Sequence, residues 1–192
     1  MRIIAGTARG RKLCPLGAGR EIRPTSDRAR EALFSILMKY GIEGARVLDL
    51  FAGTGALGLE ALSRGAARAV FVDHDPASIE LIQRNLVACR FSERAMVLRR
   101  ELPAGLASLR SDSESAGFDL ILLDPPYRQG VAAETLARIV ELDLAATEAT
   151  LVAEEEAGVE LPERVGDFSL EDRRRYGTNG LWLYRRGPGG AA

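Results

Sequence analysis

Histidine, lysine, cysteine and long apolar runs are all scarce in this chain. The one histidine is His74, the two lysines are Lys12 and Lys39, and the two cysteines are Cys14 and Cys89. A single histidine leaves no confident Ser/His/Asp or Cys/His arrangement, so hydrolase chemistry of that kind is a poor reading. The cysteines lie far apart, with no CxxC or Cys/His grouping, which argues against a zinc centre and against a disulfide framework. No metal is expected, and a reducing, cytoplasmic setting is the default. No apolar run approaches the roughly 18 residues that span a bilayer. The start, Met1-Arg2-Ile3-Ile4-Ala5-Gly6, lacks the apolar stretch of a signal peptide. No membrane partner is therefore expected.

What is present fits one soluble domain with a real core: 192 residues, 46% of them hydrophobic, an ordinary share for a globular chain. Net charge is −1, but it is unevenly spread. Residues 1–30 carry eight basic side chains against Glu21 and Asp27, so the remainder is acidic. A second basic cluster, Arg173-Arg174-Arg175 with Arg185 and Arg186, lies near the other end. Basic ends on an otherwise acidic chain suggest a localised polyanion-binding face; a solvated surface is the competing reading.

The chain opens with two short strands, 2–5 and 11–16, around Gly6 and Gly10, read as a hairpin. Residues 18–24 form a loop. Thr25 or Ser26 can cap a helix with apolar positions Ala29, Leu33, Ile36, Leu37 and Tyr40, stopped by Gly41. Strand–helix alternation follows: strand 46–50, helix 56–64, strand 69–73, a helix from Asp75-Pro76 to 88, strand 96–99, short helix 103–109, loop 111–117, strand 118–123, helix 131–142 and strand 150–153. Residues 168–176 and 181–186 flank Gly177-Thr178-Asn179-Gly180, a hairpin signal. The expected fold is α/β: a mostly parallel seven-stranded sheet ending in an antiparallel hairpin, helices on both faces, and a small N-terminal β-hairpin extension. The tail 187–192 is expected to be disordered.

Two motifs carry chemistry. Gly53, Gly55 and Gly58 satisfy GxGxxG between a strand and a helix, with Asp73 about 20 residues on, which taken alone would be a dinucleotide fingerprint. Asp49, placed just before the loop, argues otherwise. A carboxylate there would repel a diphosphate at a helix N-terminus, where anions normally do well, and would attract a cation. S-adenosylmethionine has no phosphate and carries an ammonium and a sulfonium. Asp49 can face its methionine end and Asp73 can accept from the ribose hydroxyls, so this cofactor is favoured over NAD. His74 could border the ribose or adenine, although an exposed loop histidine is the plainer reading.

The second motif, Asp124-Pro125-Pro126-Tyr127, follows the apolar strand Leu120-Ile121-Leu122-Leu123. Strand carboxyl ends are where open α/β sheets bind ligands. An exocyclic base amine is a weak nucleophile because its lone pair is conjugated into the ring. Acceptors on both N–H bonds favour the pyramidal geometry that releases it. Asp124 can supply one acceptor and the Pro125 carbonyl the other, fixed by the restricted backbone of a Pro-Pro pair. Tyr127 can stack on a base presented unpaired or flipped out. Alone, Asp-Pro-Pro is also ordinary turn material.

Asp-Pro-Pro-Tyr resembles the signature of methyltransferases that act on exocyclic amines of nucleic-acid bases. Arg2-Ile3-Ile4-Ala5-Gly6, Gly10-Arg11-Lys12-Leu13, Arg23-Pro24-Thr25-Ser26-Asp27-Arg28-Ala29-Arg30-Glu31 and the run from Asp49 to Gly65 narrow the resemblance. It is to the RsmD-type enzymes, which modify guanine N2 in small-subunit (16S) ribosomal RNA. The resemblance implies a class I, Rossmann-like methyltransferase fold over 25–186 behind an extension at 1–24. It implies S-adenosylmethionine as cofactor and S-adenosylhomocysteine as product. It also implies 16S rRNA in an assembled or assembling 30S particle as partner, with neighbouring ribosomal proteins as further contacts and a monomeric enzyme. By position, Asp49, Phe51, Ala52, Gly53, Thr54 and Gly55 would line the methionine end. Asp73, where glutamate is usual, takes the ribose; His74 lies beside it; Glu101, where aspartate is usual, takes the adenine amine. Asp124, Pro125 and Tyr127 are the expected catalytic residues. Arg9, Arg11, Lys12, Arg23, Arg28 and Pro126 are the expected RNA contacts. Arg28 and Arg30 face differently on their helix, so at least one of them could be an internal ion-pair partner. The rivals are an adenine-N6 or cytosine-N4 methyltransferase, an NAD-dependent oxidoreductase and a catalytically silent assembly factor.

Overall fold

The chain divides after Arg100 into two units, Met1–Arg100 and Glu101–Ala192. The computed structural model describes residues 1–15, 27–110, 117–127 and 129–186. Several expectations lie outside these: the loop 18–24, the Thr25 or Ser26 cap, Arg23, the loop at 111–116 and the tail 187–192.

The first unit holds three parallel strands, β1 (Arg46–Leu50), β2 (Arg68–Asp73) and β3 (Ala95–Arg99), in the order β3-β2-β1. Register pairs Asp49 with Phe71 and Asp73 with Arg99. Val47, Leu48 and Leu50 of β1 and Phe71 and Val72 of β2 are buried, as expected for parallel strands covered by helices. Helices α1 (Asp27–Leu37), α2 (Ala56–Ser63) and α3 (Pro76–Cys89) supply Leu33, Phe34, Leu59, Leu62, Leu81 and Ile82 to this core. The start of α3 is set by Asp75, whose side chain accepts from Ala77 N at 3.0 Å, with Pro76 at the first helical position.

The N-terminal segment is not two full strands. It forms one antiparallel bridge, Arg2 with Lys12, closed by Ile3 N donating to Arg11 O and Gly10 N to Ile3 O, both at 2.9 Å. Its order comes from docking instead. The buried Glu60 carboxylate of α2 accepts from Ile4 N (2.8 Å) and Ala5 N (3.0 Å), and Ser63 Oγ accepts from Ala8 N at 3.0 Å. Gly6, at φ 80°, passes so close that a Cβ there would overlap the Ser63 backbone. Arg30, fully buried on α1, donates to Arg2 O (2.5 Å) and Asp27 Oδ1 (2.9 Å), with Glu60 3.9 Å away. Of the two α1 arginines, Arg30 is thus the internal ion-pair partner, and Arg28 is exposed.

The second unit contains a 3-10 turn (Ala104–Arg110), then β4 (Phe118–Leu123), α4 (Val131–Glu141), β5 (Ala145–Glu156), β6 (Arg164–Val165), β7 (Phe168–Tyr176) and β8 (Asn179–Arg186). Its strand order is β4-β5-β8-β7-β6, with β4 and β5 parallel and the rest antiparallel. There are eight strands among the described residues rather than seven, because residues 164–165 pair with β7. Strand β5 runs far beyond 150–153, because its acidic end pairs with β8: Glu154 with Leu181 and Glu155 with Gly180. Sheet pairing outweighs the low strand propensity of three consecutive glutamates. The β7–β8 turn is also tighter than expected, since Asn179 and Gly180 already belong to β8 and pair with Tyr176 and Arg175.

Candidate active site

The expected functional side chains fall into two sets, one in each unit. In the first, β1 delivers Asp49 and then turns sharply. Phe51 sits at φ 58°, an uncommon conformation for a residue with a side chain, and Gly53 and Gly55 follow at 54° and 74°. Gly55 is the N-cap of α2. The two carboxylates hold this turn. Asp49 Oδ2 accepts from Gly58 N at 2.9 Å; Asp73 Oδ2 accepts from Gly53 N at 2.8 Å and its Oδ1 from Asp75 N at 2.9 Å. A Cβ on Gly58 would strike the Phe71 ring, so this third glycine serves helix–strand packing.

Asp49 is 1% exposed, and desolvation by burial lifts its pKa to about 8, with the nearby Asp73 adding to the rise and the Gly58 N–H opposing it. Burial also raises the Asp73 pKa, opposed by the Gly53 N–H and by His74. His74 is exposed, with Nδ1 3.6 Å from Asp73 Oδ1. The fully buried Asn85 of α3 was not singled out in the sequence. Its Nδ2 donates to Thr54 O at 2.9 Å while its Oδ1 accepts from Cys14 N at 2.8 Å, joining the glycine turn to the N-terminal segment. Its only sequence signal is a polar residue on the apolar side of α3.

In the second unit, Asp124-Pro125-Pro126-Tyr127 leaves the end of β4. Pro125 is buried, Pro126 exposed, and Asp124 and Tyr127 half-buried. Tyr127 donates its hydroxyl to Glu154 Oε1 at 3.0 Å. Burial first, then the negative charges of Glu154 and Asp124, push the phenol pKa well above its usual range, so it stays a neutral donor. Glu154 is itself 3% exposed and also accepts from Asn179 Nδ2 at 2.6 Å. Glu101, the first residue of this unit, is exposed.

The two basic clusters differ. Near the C-terminus Arg173 pairs with Glu160 (3.0 Å), Arg174 with Asp172 (2.9 Å), Arg185 with Glu148 (3.4 Å) and Arg186 with Asp167 (2.6 Å). Arg9, Arg11, Lys12 and Arg28 are exposed and make no ion pair with other described residues. Of the two clusters, the N-terminal one thus has four exposed cations without an ion pair among the described residues, and the second has Arg175, which is exposed and donates its Nε to Gly177 O at 3.0 Å rather than to an acid.

No group of acidic, histidine and cysteine side chains among the described residues could hold a metal ion. No helix there is long and apolar enough to cross a membrane.

A family model described as "Conserved hypothetical protein 95" matches residues 1–185. The chain is 38% identical to the Bacillus subtilis (strain 168) protein named "Putative rRNA methyltransferase YlbH", over 97% of this chain and 99% of that protein. It is 36% identical to "Ribosomal RNA small subunit methyltransferase D" of Escherichia coli (strain K12), over 97% of this chain and 90% of that protein. The solved structure titled "Putative methyltransferase yhhF from Escherichia coli" superposes with a TM-score of 0.81 at 36% identity, covering 97% of each chain.

Proposed function

The chain belongs to the Conserved hypothetical protein 95 family, the RsmD-type methyltransferases with their class I fold, and from that membership we propose that it methylates small-subunit ribosomal RNA. In this reading the acceptor is the exocyclic N2 amine of a guanine in 16S rRNA, presented by an assembled or assembling 30S particle. The observation that carries it is the Asp124-Pro125-Pro126-Tyr127 end of β4, with the Tyr127 hydroxyl fixed by Glu154.

S-adenosylmethionine, when bound, supplies a methyl group on an electrophilic sulfonium. The residues of the glycine turn fit such a cation better than a diphosphate. Asp49 is a buried carboxylate whose negative form lacks solvation and would be stabilised by a positive ligand. The same carboxylate opposes a phosphate at the start of α2. Asp49, Phe51, Ala52, Gly53, Thr54 and Gly55 would hold the methionine end, Asp73 the ribose, with His74 and Glu101 towards the base.

On the acceptor side, Asp124 takes a hydrogen bond from one N–H of the amine and the Pro125 carbonyl takes the other. Both acceptors weaken conjugation of the nitrogen lone pair with the ring and aim it at the methyl group. Tyr127 stacks on the base and Pro126 flanks it. Transfer is direct, with no covalent enzyme intermediate: the amine nitrogen takes the methyl group as the methyl–sulfur bond breaks, leaving S-adenosylhomocysteine, and the surplus proton on nitrogen passes to Asp124 or to water. Arg9, Arg11, Lys12, Arg23 and Arg28 contact RNA phosphates.

Labelled methyl transfer to small subunits from a strain lacking this enzyme tests the activity, and nuclease digestion with mass analysis identifies the base. Label on adenine or cytosine would replace guanine in this reading. Tight NADH binding in calorimetry, without S-adenosylmethionine binding, would overturn it altogether.

A further inference from the structure

Glu154 is a carboxylate in the wrong place for a purely structural sheet residue. It is 3% exposed on β5, where an apolar side chain would avoid the desolvation cost of a buried acid. Its Oε1 takes two hydrogen bonds, from the Tyr127 hydroxyl (3.0 Å) and from Asn179 Nδ2 (2.6 Å). Asn179 is oriented in turn, since its Oδ1 accepts from Thr178 Oγ1 at 3.2 Å, which leaves its amide to face Glu154. The β7–β8 turn, β5 and the tetrapeptide after β4 are thereby joined through one oxygen. Glu154 has almost no surface with which to touch a base, so its effect must pass through Tyr127.

We propose that Glu154 is a positioning residue for methyl transfer: it anchors the Tyr127 ring by its hydroxyl in the orientation that stacks on the target base, and Asn179 fixes Glu154. A tyrosine following two prolines has a restrained backbone but two side-chain torsions of its own. The stacking group needs its far end tied down to be ready before the base arrives, and a phenol donating to a buried carboxylate is a strong tie. The second buried acid, Glu155, is occupied differently, accepting from Glu156 N at 2.8 Å. The inference rests on the reading of Tyr127 as the base-stacking residue.

The test uses the full chain with Y127F, E154L, E154Q, N179A and the E154L/Y127F double variant. Y127F and E154L are each expected to lower kcat about tenfold while S-adenosylmethionine affinity stays within about twofold. The double variant should be no slower than either single one, because both remove the same tie. E154Q, whose amide oxygen can still accept from Tyr127, should recover most of the rate, and N179A should lie between. Multiplicative losses in the double variant, or an unchanged kcat in E154L, would overturn the proposal. If E154L does not fold, N179A/Y127F against its singles gives the same comparison, since N179A loosens the same tie, and a rate in E154Q as low as in Y127F counts against the proposal. The phenolic carbon resonance of Tyr127, assigned through Y127F in tyrosine-labelled protein, gives a readout without activity. It should shift in N179A and E154L, and no shift would refute the anchor. Were the wild type to transfer no methyl group to the RNA, the functional reading would fall, while this resonance would still decide whether Glu154 holds Tyr127.

Discussion

Burial governs Asp49 before any ligand arrives. Its folded pKa of about 8 lies far above the ordinary carboxylate range near 4, so between these values the folded ligand-free protein binds more protons than the unfolded chain. Its contribution to stability is present at low pH and is lost as pH rises towards 8. Asp49→Asn can keep the bond to Gly58 N without a charge to bury. We expect D49N to match the wild type in melting temperature near pH 5 and to exceed it by a few degrees near pH 8.5. It should bind S-adenosylmethionine at least about tenfold more weakly. A positive ligand favours the ionised carboxylate, so wild-type binding near neutrality should release close to one proton. Calorimetry in buffers of different ionisation enthalpy reads that number, and equal enthalpies in all buffers would count against it. Asp124→Ala is the complementary case: methyl transfer should fall by about a thousandfold or more, with cofactor affinity within about threefold. Equal loss of both would make Asp124 a cofactor-binding or structural residue. At this scale the placement of Asp49, Asp73 and the tetrapeptide at strand ends was legible, because apolar runs and glycine spacing leave a local pattern. Glu154 and Asn85 were not, because what they touch is distant in sequence.

At the scale of elements, the arrangement of α2 and α3 determines what the N-terminal segment does. Glu60 holds that segment by two main-chain N–H groups and also takes Arg64 Nε at 2.8 Å. Asn85 then joins the segment to the glycine turn. Glu60→Leu leaves several donors without their acceptor, including those near the buried Arg30 charge, and should cost about 3 kcal/mol. Asn85→Leu should cost about 2 kcal/mol for its two lost bonds and also weaken S-adenosylmethionine binding several-fold, because Thr54 is released. Denaturant unfolding and calorimetry measure these. A destabilised N85L with unaltered cofactor affinity would confine Asn85 to a packing role. Strands β1 to β4 and helices α2 to α4 were read to within one residue, since period, caps and apolar runs are local, whereas the first helix was carried through Tyr40 although α1 ends at Leu37. The opening "hairpin" was read as strands because its order is imposed by α2, and β5 was read short because only pairing with β8 reveals that its glutamates lie in a sheet.

For the molecule as a whole, the useful quantity is where charge remains uncompensated, not the net value of −1. Composition marked both ends as basic, but only ion pairing could separate them. Arg173, Arg174, Arg185 and Arg186 of β7 and β8 pair with acids on their own unit and Arg175 bonds Gly177 O, whereas Arg9, Arg11, Lys12 and Arg28 pair with no other described residue. Paired guanidiniums have already spent most of their field locally, so they release few counterions when a phosphate approaches. Replacing Arg9, Arg11 and Lys12 together by glutamine should therefore weaken binding to small subunits by roughly tenfold or more near physiological salt. It should also flatten the dependence of log affinity on log salt by about 2. These positions are exposed and contribute little to the core, so the melting temperature should hold. The matching triple change at Arg173, Arg174 and Arg175 should flatten the salt slope by about 1 at most, since only Arg175 lacks an acid partner, and should lower stability through the loss of the Arg173 contacts with Glu160 and the Trp182 ring. Salt-dependent binding by both variants decides between the ends. An equal loss of slope at each would mean that RNA is gripped by two faces, and a loss confined to the second would move the contact away from the N-terminal segment.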